Sequence, residues 1–303
     1  MDKSVLITGG TGFIGQPLCQ SLADRGYQLT VLSRRPHSEV LARCGRVTPI
    51  QSLTELNGAK GFGAIINLAG EGIADRRWSE ARKQTLRDSR VKLTQQLVSA
   101  IPSFGQQPEV LVSGSAVGFY GDQGRNRVTE TTAPNDEFTN RLCNDWEAAA
   151  NALTDSVRVC LSRTGVVVGP GGGFLQRMVL PFKLGLGGRL GDGHQFMPWV
   201  HRADVVAAII WMLETESASG AYNVVSPNPV ENRELTRTLA SVLGRPAIFP
   251  VPGFVLKAAL GEMSRLLLTG QQAVPERLLD AGFKFHYPDL RAALEDAVGS
   301  PTV

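Results

Sequence analysis

A chain of 303 residues, 43% hydrophobic and 19% charged, has the apolar content for one large or two modest domains and excludes a disordered chain or a polyelectrolyte. The net charge of +3 is too small for the basic footprint of a nucleic-acid or membrane-surface protein, so neither partner is expected. Cys19, Cys44, Cys143 and Cys160 show neither C-x-x-C spacing nor disulfide-framework density, which indicates a reducing compartment. The apolar run at Val5–Ile7 is too short for a signal peptide, and Val205–Leu213 covers less than half a bilayer. The expected location is the cytoplasm.

Val5–Thr8 reads as a buried strand and Gln16–Arg25 as a helix ending at Gly26. Leu29–Leu32 is the second strand, Ala64–Leu68 a later one, followed by Val110–Val112, Arg158–Leu161 and Val166–Val168. Helical patterns lie between them, chiefly Ser79–Ile101 and Asn144–Leu153. Short continuous apolar strands alternating with helices specify a parallel sheet covered on both faces. The glycine-rich stretch Gly169–Gly193 reads as irregular, Val205–Leu213 as a helix, and Ala221–Val225 as a strand returning to the sheet. From Pro227 to Val303, helices alternate with proline breaks.

The strongest local signal is Thr8-Gly9-Gly10-Thr11-Gly12-Phe13-Ile14-Gly15, which follows a strand and opens a helix. In this context one glycine makes the turn, Gly12 lets the backbone approach a pyrophosphate, and Gly15 allows close helix–strand contact. The phosphates then meet the free N–H groups of the helix N-terminus. A ribose-binding carboxylate is expected at the end of the second strand, but that end reads Leu32-Ser33-Arg34-Arg35. Ser33 and Arg34 suit a 2′-phosphate, so NADP is favoured over NAD. Residues 1–168, with a sheet completed by about 200–225, are expected to form the dinucleotide-binding domain. Residues 169–199 and 226–303 form a smaller, partly interleaved lobe on the substrate side.

With these pieces the sequence resembles the short-chain dehydrogenase/reductase superfamily, in its extended, sugar-nucleotide-epimerase-like branch. The matching segments are Thr8–Gly15, Asn67-Leu68-Ala69-Gly70, Val112-Ser113-Gly114-Ser115, Pro198 through Asp204, and Gly220-Ala221-Tyr222-Asn223-Val224. It is similar, more narrowly, to the atypical "epimerase family" group, through Arg76-Arg77-Trp78, Phe138 to Glu147, Gly171-Gly172-Gly173, Leu184–Gly188, Gly261-Glu262-Met263 and Gly270-Gln271-Gln272. The resemblance implies an α/β fold, a Rossmann-type doubly wound sheet with a small C-terminal lobe over the cleft. It implies cofactor contacts at Gly9, Gly12, Phe13, Ile14, Gly15, Leu68, Ala69 and Val167, beside Ser33 and Arg34. It also points to Arg90, on the helix after Asn67–Gly70, as reaching cofactor phosphate or substrate.

The departure lies in the catalytic pair. Relatives with proven chemistry carry Tyr-x-x-x-Lys, with a glutamate four residues beyond the lysine. If Glu147 is that glutamate, Cys143 stands at the lysine position and Thr139 at the tyrosine position. Neither can lower a phenol pKa or exchange a proton at neutral pH in the same way. The resemblance places Ser115 as a substrate-orienting hydroxyl that donates to a carbonyl, and Tyr120 stands near enough in sequence to supply a phenol. His201 reads as structural, with Asp204 capping the next helix. His37, His194 and His286 have no ligand spacing, so no metal is expected.

The expectation is an NADP-binding oxidoreductase or epimerase-like protein acting on a small polar molecule, a sugar nucleotide among the candidates. The alternative is an NADPH-binding sensor or scaffold without turnover. A homodimer is left open.

Overall fold

The computed structural model describes residues 2–56, 58 and 60–299. The chain opens with β1 (Ser4–Thr8), α1 (Gly15–Asp24), β2 (Gln28–Leu32), α2 (His37–Cys44) and β3 (Thr48–Ile50). It continues with β4 (Ala64–Asn67), α3 (Glu80–Arg87) and α4 (Leu93–Ala100), the two helices joined by a π turn over Asp88–Lys92. Next come β5 (Val110–Ala116), β6 (Arg127–Val128), α5 (Phe138–Asn151), β7 (Arg158–Thr164) and β8 (Val166–Val168). After α6 (Gly173–Lys183), β9 (Phe196–Met197), β10 (Trp199–His201) and α7 (Arg202–Glu214), β11 (Gly220–Val224) returns to the main sheet. The remainder is β12 (Val230–Glu231), α8 (Asn232–Leu243), α9 (Gly253–Leu260), α10 (Arg265–Leu268), β13 (Gln272–Ala273), α11 (Glu276–Asp280) and α12 (Leu290–Val298).

The main sheet has the order β3-β2-β1-β4-β5-β7-β11 and is parallel throughout. The chain winds outward from β1 to β3, then crosses back to β4 and winds the other way. That reversal leaves a crevice at the carboxyl ends of β1 and β4, where doubly wound sheets take their ligands. The register aligns Thr8 with Leu32 and Asn67, and Asn67 with Ser113, so these residues rim the crevice in one row. The strands are apolar on both faces because both faces are covered. Val5, Ile7, Ala64, Ile66 and Val112 pack with Leu18, Leu22, Val205 and Ile209 of α1 and α7. On the opposite face Leu6, Ile65 and Leu111 pack with Leu97, Ala150 and Leu153, from α4, α5 and just beyond. A further cluster of Val168, Leu175, Phe182, Trp199, Leu235 and Leu294 joins α6, α8 and α12 beside the sheet.

The Rossmann-type reading of the sequence holds, with differences in detail. The helix α2 and strand β3 were not expected; β3 is a three-residue edge strand carrying Pro49, a position where a missing N–H costs little. β5 and β7 run on to Ala116 and Thr164, through polar residues, because they pair with each other to the end. α5 begins at Phe138, ahead of its apolar pattern. β8 leaves the main sheet and pairs with β10. The stretch expected to be irregular contains α6, entered through a turn where Gly171 and Gly173 have φ of 77° and 72°; its later glycines, Gly185 to Gly193, lie in an irregular segment after the helix. Among the described residues no helix is long and apolar enough to cross a membrane.

Candidate functional site: a dinucleotide cleft and a buried polar chain

Gly9 turns the chain at the end of β1 with φ 72°, and a Cβ there would lie 2.6 Å from the Leu68 carbonyl. A Cβ on Gly15 would lie 2.2 Å from the Gly9 oxygen and 2.6 Å from the Gly10 Cα, so α1 starts hard against the loop. Gly12 is less crowded: its N–H donates to the Gly9 oxygen at 3.0 Å, and a Cβ would stand 3.1 Å from that atom. No side chain caps the N-terminus of α1 at Ile14. An uncapped N-terminus behind a glycine turn is suited to an anion.

The strand ends are tied by hydroxyls and an amide. Thr8 Oγ1 donates to Asn67 Oδ1 at 2.6 Å and accepts from the Ala69 N–H at 3.1 Å. Asn67 Nδ2 donates to Thr94 Oγ1 at 2.8 Å, which also accepts from Trp146 Nε1 at 3.1 Å. This buried set fixes the Leu68–Ala69 backbone opposite Gly9.

A cleft of about 1460 Å³ lies over the loop, lined by Thr8, Gly9, Gly12, Ser33, Arg34, Leu68 and Ala69 among others. The Arg34 side chain is 90% exposed and reaches Glu71 Oε1 at 2.9 Å. The end of β2 itself holds no acid, as its sequence shows; the carboxylate that meets Arg34 arrives from the loop after β4, two strands away. Hydrogen bonding from Arg34 holds the Glu71 carboxyl below the usual carboxylate range. Ser33 Oγ accepts from the Arg35 N–H at 3.2 Å, and Arg35 pairs with Glu39.

Arg90 donates from Nη2 to the Glu71 carbonyl at 2.8 Å and from Nη1 to the Leu86 carbonyl at 3.3 Å, with its guanidinium over the Trp146 ring. Gly70 gives it room, since a Cβ there would lie 3.0 Å from Arg90 Cζ. Arg90 thus supports the Gly70–Glu71 wall. Phe13 packs against Gly172 and Gly173, where added Cβ atoms would fall 2.7 and 2.8 Å from its ring. Arg202 covers the ring at 4.7 Å. Val167 is half-buried on β8, opposite Val200.

The β5–α5 end is built differently. Ser115 Oγ donates to Glu147 Oε1 at 2.6 Å. Arg163 grips the same carboxylate with two bonds of 2.8 Å, and both side chains are only 7% exposed. The Arg163 guanidinium lies 3.5 Å from the Phe119 ring centroid and donates to the Tyr120 hydroxyl at 3.0 Å. That hydroxyl donates to Asn223 Oδ1 at 2.7 Å. Tyr120 is fully buried, and burial pushes its phenol pKa up. It sits inside a chain of polar contacts running Ser115–Glu147–Arg163–Tyr120–Asn223. Thr139 and Cys143 are buried on α5 beside Gly118. Burial and the Glu147 charge push the Cys143 thiol up to about 12.

Glu71, Arg163 and Asn223 were not singled out from sequence; Arg163 is the second arginine on β7 after Arg158, and nothing local to it signals a buried carboxylate partner. His201 caps α7 itself, accepting from the Ala203 N–H at 3.2 Å, and pairs with Asp296 at 3.0 Å. Asp204, expected to be the cap, is fully buried and accepts from the backbone N–H groups of His286 and Tyr287 at 2.6 and 3.0 Å. Among the described residues no group of three or more His, Cys, Asp or Glu side chains is placed to hold a metal ion.

Residues 5–225 match the pattern of the NAD dependent epimerase/dehydratase family, and residues 251–297 match a domain of unknown function, DUF1731. Epimerase family protein SDR39U1 of Bos taurus is 40% identical over 97% of this chain and 99% of its own. The crystal structure of human SDR39U1 (isoform 2) with NADPH has a TM-score of 0.89 at 38% identity, over 98% of this chain and 99% of that one. A nucleoside-diphosphate sugar epimerase from Corynebacterium glutamicum superposes with a TM-score of 0.78 at 29% identity, over 98% of this chain and 58% of that one. The chain belongs to the NAD dependent epimerase/dehydratase family, in the atypical group of epimerase family proteins that includes SDR39U1.

Proposed function

We propose that the protein binds NADPH across the glycine loop and uses it in oxidoreduction or epimerisation of a small polar substrate. A sugar nucleotide is the class suggested by the relative from Corynebacterium glutamicum. The observation that carries the cofactor reading is Arg34 beside Ser33 at the mouth of a cleft whose floor is Gly9, Gly12 and the uncapped start of α1. The human relative crystallised with NADPH supports it. When bound, NADPH would supply a hydride. Gly12, Phe13, Ile14 and Gly15 receive its pyrophosphate, and Ser33 and Arg34 its 2′-phosphate. Leu68, Ala69 and Val167 wall the groove, and Arg90 keeps the Gly70–Glu71 backbone in place.

Ser115 is the candidate catalytic group. With its proton committed to Glu147, its oxygen presents lone pairs, so it accepts from a substrate hydroxyl instead of donating to a carbonyl. Glu147 and Arg163 set that orientation, and Tyr120 acts through Arg163 as a positioning residue. Calorimetry with NADPH tests the cofactor, and absence of binding removes this reading. Stereospecific deuteride transfer to a panel of carbonyl and sugar-nucleotide compounds, lost in Ser115→Ala, tests the chemistry.

A second reading, an NADPH-dependent sensor without turnover, is favoured by Thr139 and Cys143. A thiol titrating near 12 does not exchange protons at neutral pH. It predicts tight NADPH binding with no consumption across the same panel. Hydride transfer that depends on Ser115 would eliminate it.

A further inference from the structure

Leu41 and Leu279 apart, every exposed large apolar side chain among the described residues falls in two segments. Leu180, Leu184 and Leu186 are 64%, 65% and 60% exposed; Ile248, Phe249 and Phe254 are 70%, 54% and 74% exposed. The segments lie side by side. The Val251 N–H donates to the Arg189 carbonyl and the Gly191 N–H to the Val251 carbonyl, both at 2.9 Å, and a Cβ on Gly188 would strike the Phe249 oxygen at 1.8 Å. Between them they carry α9, Gly-Phe-Val-Leu-Lys-Ala-Ala-Leu, in which no residue is buried. Isolated apolar residues on a surface need no explanation, but a cluster of this kind marks an interaction site.

Charge is distributed as unevenly as hydrophobicity. Residues 176–191 contain Arg177, Lys183 and Arg189 and no acid; residues 244–261 contain Arg245 and Lys257 and no acid. Arg177 pairs with Asp75. Lys183, Arg189, Arg245 and Lys257 have no carboxylate partner among the described residues. The nearest acids along the chain are Asp192, the one carboxylate that shares a cavity lining with Phe254 and Lys257, and Glu262, which holds Lys83 at 2.6 Å. The small overall charge conceals a face that is both apolar and cationic.

We propose that this face, formed by the end of α6, the loop after it and α9, docks on the surface of an anionic lipid bilayer. The apolar side chains enter the boundary between headgroups and acyl chains, and the four free cations meet lipid phosphates. This is the arrangement of peripheral proteins that lie on a membrane without crossing it. A second copy of the chain is a poorer occupant, because a two-fold contact sets the same cations against one another.

The test is sedimentation of the full chain with phosphatidylcholine vesicles, with and without phosphatidylglycerol, at low and high salt. The expected result is binding to the anionic vesicles, several-fold weaker at high salt and near background on the neutral ones. Leu184→Glu combined with Phe254→Glu abolishes binding, and Lys183→Glu with Lys257→Glu reduces it several-fold. Leu41→Glu, an exposed apolar position elsewhere, leaves it unchanged. All these side chains are exposed, so unchanged circular dichroism and thermal midpoint verify that the variants are folded. Absence of binding to anionic vesicles overturns the proposal. So does equal binding to both compositions, or binding that survives Leu184→Glu/Phe254→Glu. Dissociation of a dimer by that double variant, seen in light scattering, would assign the face to a second copy and overturn it as well.

Discussion

The two ends of the site hold their charges in opposite ways. At the β1–α1 end Arg34 is 90% exposed, its one carboxylate partner is Glu71 on a separate loop, and the start of α1 has no side-chain cap. At the β5–α5 end Glu147 and Arg163 are 7% exposed, and each is satisfied by the other and by Ser115 or Tyr120. The first end has groups free to be taken up by a ligand. The second has its charges consumed internally and offers a single oriented hydroxyl. Removing the cation should therefore cost ligand affinity at the first end, and removing either charge should cost folding stability at the second.

The sharpest way to break that contrast is Arg163→Leu. It leaves the Glu147 carboxylate buried without its partner, a change worth about 3–5 kcal/mol of stability. Urea unfolding should show the midpoint fall, and Glu147→Leu added to Arg163→Leu should recover part of the loss because no orphan charge remains. Arg34→Ala should leave the midpoint within about 0.5 kcal/mol, as expected for an exposed pair. Equal losses in the two variants would end the distinction.

The same contrast explains what was legible in the sequence. The glycine loop and Ser33-Arg34 could be read because each constraint is local: a turn, a close approach, a helix start, the end of one strand. The polar chain at the other end could not. Ser115, Glu147 and Arg163 lie on β5, α5 and β7, and only the strand order makes them neighbours. Glu71 escaped for the same reason, since it meets Arg34 only because β4 and β2 flank β1. The Gly169–Gly193 stretch misled in another way. High glycine content suggested an irregular segment, which holds for Gly185 to Gly193, yet Gly172 and Gly173 accommodate Phe13 where the chain turns into α6. Composition does not distinguish a flexible segment from one whose glycines are required by close packing.

Four substitutions probe the open end. Arg34→Ala should weaken NADPH binding by roughly 1.5–3 kcal/mol, about ten- to a hundredfold, the worth of hydrogen bonds to a charged group. NADH should move much less, and Ser33→Asp should turn the preference toward NADH by repelling the 2′-phosphate. Rising salt should weaken NADPH more than NADH. An equal loss of both cofactors in Arg34→Ala would assign Arg34 to the adenine or the loop. Gly15→Ala forces a Cβ to 2.2 Å from backbone and should cost about 1–3 kcal/mol of stability, as overpacking does. Gly12→Ala, whose nearest contact is 3.1 Å, should cost less stability than Gly15→Ala and impair cofactor binding. A Gly12→Ala protein that binds NADPH normally would place the pyrophosphate elsewhere.

The smallest effect is expected at Glu71, and it tests whether the open end is tuned as well as open. Because β1 lies between β2 and β4, the bridge from Arg34 to Glu71 crosses above the glycine loop, in the path of a nucleotide seated there. A 2′-phosphate must take Arg34 from Glu71 while tolerating that carboxylate nearby. Glu71→Gln frees Arg34 and removes the repulsion, so NADPH should bind more tightly by about 0.2–1 kcal/mol, the usual worth of an exposed pair. The pH dependence has a definite sign. Arg34 holds the Glu71 carboxyl below its ordinary range, so at neutral pH the bridge is intact and the variant has its full advantage. As pH falls through that lowered range, wild-type Glu71 takes up a proton and releases Arg34, and the two proteins should converge. In the Arg34→Ala background most of the effect of Glu71→Gln should vanish, leaving the part due to repulsion alone, which a double-mutant cycle measures directly. Weaker NADPH binding in Glu71→Gln would mean that the carboxylate aims Arg34 at the phosphate instead of competing for it.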